Sequence, residues 1–163
     1  MLIIFKNKNK YRIFEKKNMI KAGVVGAGHL GSIHLKLLNE SKYFELIGYH
    51  DINKDILDIN DNFIFFEKIE NLIDSVDAVF ICTNTPNHYE IAKICIKNSK
   101  HIFIEKPITS TLDQAIELID LSIKKNIKGQ VGHVERFNPA FTCVKDTIKV
   151  PKFIECHRLA EFN

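Results

Sequence analysis

The sequence predicts an α/β fold, a parallel sheet with helices on both faces, spanning residues 19–135. Three observations carry this. Short apolar runs alternate with amphipathic stretches from residue 19 onward. The runs are apolar throughout rather than at every second position, as in strands buried on both faces. The first run ends in glycines that open directly into a helical pattern.

Each element has its own signal. Residues 20–25 are an apolar run broken only by Lys21, a buried strand. Leu30, Ile33, Leu37 and Leu38 then stand at helical spacing. A second strand is expected at 44–49, ahead of a polar stretch at 51–61, and a third at 63–66. A short helix follows at 69–73 and a fourth strand at 78–82. The helix at 86–97 takes Thr85 as its cap and Pro86 as its first residue. A fifth strand is expected at 101–104. Thr111 and Gln114 form a capping box for the next helix, whose apolar face is Leu112, Ala115, Ile116, Ile119 and Ile123. A sixth strand is expected at 130–133 and a seventh at 153–156. The last would open something new, so residues 136–163 read as the truncated start of a second α/β domain.

Charge is unevenly distributed. Residues 1–18 hold six of the 23 basic residues and one of the 20 acidic ones, leaving 17 against 19 in the remainder. That segment reads as a basic extension, and the near-neutral remainder carries no nucleic-acid footprint. No apolar run approaches the ~20 residues that span a bilayer, so neither membrane nor nucleic acid is expected as a partner. The four cysteines fit no CxxC or zinc spacing, and no metal site is expected. A reducing cytoplasm suits them best, although an even number leaves a disulfide open.

The first strand runs into Gly26-Ala-Gly28-His29-Leu30-Gly31, a G-x-G-x-x-G with a strand before it and a helix after it. Gly26 permits the tight turn, Gly28 lets the backbone approach a pyrophosphate, and Gly31 lets the helix pack closely on the sheet. Unpaired N–H groups at the helix start suit a diphosphate, with His29 and Leu30 beside it. Asp51, twenty residues after Gly31, would accept hydrogen bonds from ribose hydroxyls. This is the pattern of a Rossmann-type dinucleotide site, with NAD favoured because a carboxylate repels a 2′-phosphate. Lys54 nearby keeps NADP open. The rival is a glycine turn without a ligand.

Four segments in order resemble the Gfo/Idh/MocA oxidoreductases: Gly26–Gly31, Thr83-Asn-Thr-Pro-Asn-His88, Glu105-Lys-Pro107, and Gly132-His-Val-Glu-Arg-Phe-Asn-Pro139. The last looks most like members acting on nucleotide-linked sugars, such as UDP-N-acetylglucosamine 3-dehydrogenases. The resemblance implies a Rossmann domain followed by an α/β domain that covers the substrate and mediates homo-oligomerisation. It implies a sugar or sugar-nucleotide substrate whose secondary hydroxyl is oxidised by hydride transfer to NAD(P). Lys106 would be the catalytic residue and contact the substrate. Thr83, Asn84, Pro86 and His88 would pass beside the cofactor, with Glu105 holding the lysine or contacting ribose. Arg136 and Asn138 would meet the substrate. The competing roles stay open: packing or capping for His88, a simple strand-end acid for Glu105, an inter-domain bridge for Arg136. So does a different class of function, a catalytically inactive dinucleotide-binding module.

Overall fold

The computed structural model describes residues 19–56, 63–147, 149–155 and 157. They divide into two units, one up to Gly132 and one from His133. The first holds β1 (Ile20–Val25), α1 (His29–Asn39), β2 (Phe44–His50), α2 (Ile69–Ser75), β3 (Ala78–Ile81), α3 (Thr85–Lys97), β4 (His101–Ile104), α4 (Leu112–Lys124) and β5 (Gly129–Val131). The strands form one sheet in the order β2-β1-β3-β4-β5, every pairing parallel. The second unit holds a 3-10 turn, Val134–Phe137, and α5, Pro139–Thr142.

Strand alternation divides the core in two. Ala22 and Val24 of β1 face one side with Leu35 and Leu38 of α1. Val25, together with Val79 and Ile81 of β3 and Ile102 and Ile104 of β4, faces the other. There these residues meet Leu72 and Ile73 of α2, Ala92, Cys95 and Ile96 of α3, and Leu118 of α4. The sheet is therefore covered on both faces, and its apolar strands need no polar alternation.

The structure corrects several expected elements. Residues 63–66 make only an isolated parallel bridge, Tyr49 with Phe65. Tyr49 N–H donates to Ile64 O at 2.8 Å and Tyr49 O accepts from Phe66 N–H at 2.8 Å. The chain engages a single residue of β2 before turning into α2, too briefly to continue the ladder. Residues 153–155 carry no regular structure, and Cys156 lies outside the described residues. Asn84, not Thr85, takes the N-cap of α3. Thr111 Oγ1 does accept from Gln114 N–H, at 3.4 Å, but the reciprocal arm of the box is missing and Gln114 Oε1 is buried without a partner among the described residues.

Two helix faces also differ from expectation. The buried stripe of α1 is Gly31, Leu35 and Leu38, while Leu30, Ile33 and Leu37 are exposed. Gly31 must face the sheet, and that requirement selects the stripe at its own spacing of four and then three residues. In α4 the buried residue is Leu118, while Leu112, Ile116, Ile119 and Ile123 are exposed. Ile119 and Ile123 border an apolar groove of about 390 Å³ against Ile102, Ile104 and Val131. The last strand of the sheet has only three residues, too short to fill the space under that flank of the helix.

Replacing Leu35, fully buried, with alanine should cost about 2–5 kcal/mol in urea unfolding. The same change at Leu37, 59% exposed, should stay within about 0.5 kcal/mol. Equal losses would contradict the stripe assigned to α1.

Candidate functional site

The site is built where strands end and helices begin. Gly26 follows β1 with φ +88°, a conformation that side chains rarely adopt, and a Cβ there would sit 2.8 Å from Thr83 N. The turn thus lies directly against the loop after β3. Gly31 faces back, and a Cβ on it would run into the Gly26 carbonyl oxygen. Two glycines are therefore demanded by the fold itself. Gly28 differs. It has φ −62°, and a Cβ would meet nothing within 4 Å. Its lack of a side chain serves no packing need of this chain.

Gly28 is also the N-cap of α1, and no side chain caps the helix. The first-turn N–H groups and the positive end of the helix dipole are left facing the glycine loop. His29 and Leu30, the first residues of that turn, are exposed.

Asp51 comes to this loop from the end of β2. Its Oδ2 accepts from Ala27 N–H at 2.7 Å, and its Oδ1 accepts from Asn53 N–H at 2.9 Å. The acid is thereby fixed beside the glycines, with lone pairs to spare on both oxygens.

Gly26, Gly28, Asp51, Thr83 and Asn84 line one cleft of about 310 Å³. The sequence reading missed other residues of its wall. His50 precedes Asp51, and its Nδ1 donates to Phe66 O at 2.9 Å. Ile52, Ile56, Ile69 and Ile91 supply an apolar side, and Asn87 and Cys82 complete the lining. Burial and, second, the charge of Glu105 push the Cys82 thiol up to about 12. It is a neutral wall residue, not a nucleophile.

The remaining expected residues are not in the lining of this cleft. Pro86 is exposed in the first turn of α3. His88 is 1% exposed, with Nδ1 bonded to Pro107 O and Nε2 to Thr83 O, each at 2.9 Å. Glu105 is buried, and its Oε1 lies 2.8 Å from His34 Nε2. His34, on α1, was not singled out from the sequence. Lys106 is exposed, joined to Pro107 by a cis peptide bond, and its ammonium has no partner among the described residues. Arg136 and Asn138 belong to the second unit, in the 3-10 turn and at the N-cap of α5. Asn138 Oδ1 accepts from Ala140 N–H at 2.9 Å, and its Nδ2 donates to Glu135 at 2.7 Å.

The donor set fits a dinucleotide. An uncapped helix start, a glycine with open space above it and a fixed carboxylate supply what a diphosphate and a ribose diol require. Among the described residues no group of three His, Cys, Asp or Glu could hold a metal, and no helix is long and apolar enough to cross a membrane.

Known proteins resemble this chain in sequence and fold. The chain is 29% identical over 148 residues to the UDP-N-acetylglucosamine 3-dehydrogenase of Acidithiobacillus ferrooxidans, covering 88% of this chain and 47% of that protein. It is 29% identical over 136 residues to the myo-inositol 2-dehydrogenase of Thermotoga maritima, covering 80% and 41%. A solved structure of the Acidithiobacillus enzyme superposes with a TM-score of 0.73 at 28% identity, over 80% of this chain and 42% of that one. The chain thus spans about half the length of the curated relatives it matches. The family model described as "Oxidoreductase family, NAD-binding Rossmann fold" matches residues 20–133. That span takes in the glycine turn, the acid after β2 and the lysine turn after β4 together, and the chain belongs to the Gfo/Idh/MocA family of oxidoreductases.

Proposed function

We propose that this chain binds NAD in the cleft between the glycine turn and the loop after β3, and that it serves the oxidation of a secondary hydroxyl on a sugar or sugar nucleotide. The observation that carries the reading is the convergence on one cleft of Gly26, Gly28, Asp51, Thr83 and Asn84, residues from three strand ends. Relatives named as dehydrogenases of a sugar nucleotide and of inositol support the substrate class.

The first turn of α1 would take the diphosphate, Gly28 admitting it to the backbone. Asp51 would accept from the adenosine ribose hydroxyls, and its charge favours NAD over the 2′-phosphorylated form. When bound, the nicotinamide supplies the hydride acceptor. Lys106 would donate to the reacting hydroxyl and stabilise negative charge on its oxygen as the carbon loses hydride. Its ammonium is unpaired among the described residues and so is available for this. The guanidinium of Arg136 offers a two-toothed donor for a substrate diphosphate, with Asn138 beside it in sequence. Binding without turnover by this chain is the second reading.

Fluorescence titration with NADH tests the cleft. Gly28→Ala meets no atom of the fold, so the melting temperature should hold while affinity falls about tenfold or more. Gly31→Ala instead meets the Gly26 carbonyl and should destabilise the fold by about 1–3 kcal/mol. Unchanged NADH affinity in Gly28→Ala would refute the diphosphate site.

Lys106→Met separates binding from chemistry. NADH affinity should stay within about threefold, while NAD reduction with a sugar nucleotide should fall about a hundredfold or more. Equal turnover by both proteins would remove Lys106 from the chemistry, and wild-type binding with no turnover would favour the second reading.

A further inference from the structure

Lys106 is exposed, and its ammonium touches no partner among the described residues, so its own contacts do not set its position. The residues on either side of it are held instead. Glu105, 5% exposed, places Oε1 at 2.8 Å from His34 Nε2 and Oε2 at 3.3 Å from the Lys106 N–H. A buried carboxylate is tolerated only when paired in this way. The rings of Phe80 and Phe103 stand at 5.8 and 5.0 Å from the His34 ring and fix its orientation. Gly132 makes room for the pair, because a Cβ there would lie 2.9 Å from Glu105 Oε2.

Pro107 is held from the other side. Its carbonyl oxygen lies 2.9 Å from His88 Nδ1, and the Thr83 carbonyl oxygen lies 2.9 Å from His88 Nε2. Carbonyl oxygens only accept, so the ring donates to one of them through its N–H and packs against the other. A ring that is 1% exposed and lies 2.9 Å from a carbonyl at each end ties the cleft-lining loop after β3 to the lysine turn after β4.

Both histidines come from helices that start at the cleft. His34 is on α1, which begins at the glycine turn, and His88 is on α3, which begins at Asn84. From this we propose that His34 and His88 are positioning residues, a two-point clamp that sets Lys106 in register with the two loops of the cleft. The proposal rests on the reading of Lys106 given above. The turn that carries the lysine is fastened at residues 105 and 107, and through them to the same two helices whose starts line the cleft.

Hydrogen exchange by mass spectrometry on the intact chain, without cofactor, tests the clamp directly. His34→Phe keeps the ring wall and removes the donor to Glu105. Exchange at residues 104–109 should rise about tenfold while β1 and α2 keep wild-type rates. His34→Gln, which retains a donor, should restore most of the protection, a rescue that a purely space-filling ring would not show. Unchanged exchange at 104–109, uniform acceleration throughout the chain, or equal behaviour of the Phe and Gln variants would overturn the proposal. His88 is tested without substitution, by nitrogen-15 spectra of the wild-type histidines. A slowly exchanging, hydrogen-bonded ring proton on His88 is expected, and a ring whose protons all exchange freely with solvent would overturn the second arm. A wild-type chain that binds no NADH would overturn the reading of the cleft instead. The two failures are distinguishable because exchange is read without cofactor.

Discussion

Helix α1 begins where it does only because residue 31 has no side chain. Any Cβ at that position would enter the carbonyl of Gly26, and the helix would have to lift from the end of β1. The rest of the unit follows from that contact. With Gly31 against the sheet, Leu35 and Leu38 are carried into the core beside Ala22 and Val24. The helix start is brought to the strand ends, where Asp51 reaches Ala27 N–H at 2.7 Å and joins β2 to the glycine turn. Gly26, in turn, needs its positive φ to let the loop after β3 lie alongside.

Three glycines that look alike in sequence thus do different things. Gly26 and Gly31 are required by backbone conformation and by close approach. Gly28 is not, since its Cβ would project into open space. A fold has no use for that vacancy, and a phosphate beside an uncapped helix start does. The distinction separates what the turn needs to exist from what it offers to a ligand.

Much of this was legible in the sequence because it rests on local signals. Largely apolar runs marked the five strands of the sheet, along with a run at 63–66 that forms only a bridge, and the spacing from Gly31 to Asp51 placed the acid beside the turn. Gly26, Gly28, Asp51, Thr83 and Asn84 line the cleft from strand ends, as expected for a parallel sheet, while the residues after β4 are not in its lining. What local signals missed depends on distant partners. The stripes of α1 and α4 were misjudged because apolar spacing alone does not tell which of two adjacent stripes meets the sheet. Gly31, small and easily discounted, decided it in α1. His34 went unnoticed because its partner Glu105 is 71 residues away. The isoleucines of the cleft wall come from three separate segments. Residues 63–66 have strand-like composition, yet only Phe65 finds a strand neighbour.

The central claim is that the glycine turn, Asp51 and the loop after β3 form one dinucleotide site. Amide chemical-shift mapping during an NADH titration of the intact chain tests this most directly. Shifts should concentrate at residues 26–31, 51–53 and 83–84, with the α4 groove around Ile119 and Ile123 unaffected. Shifts centred on that groove, or none at the glycine turn at saturating NADH, would contradict it.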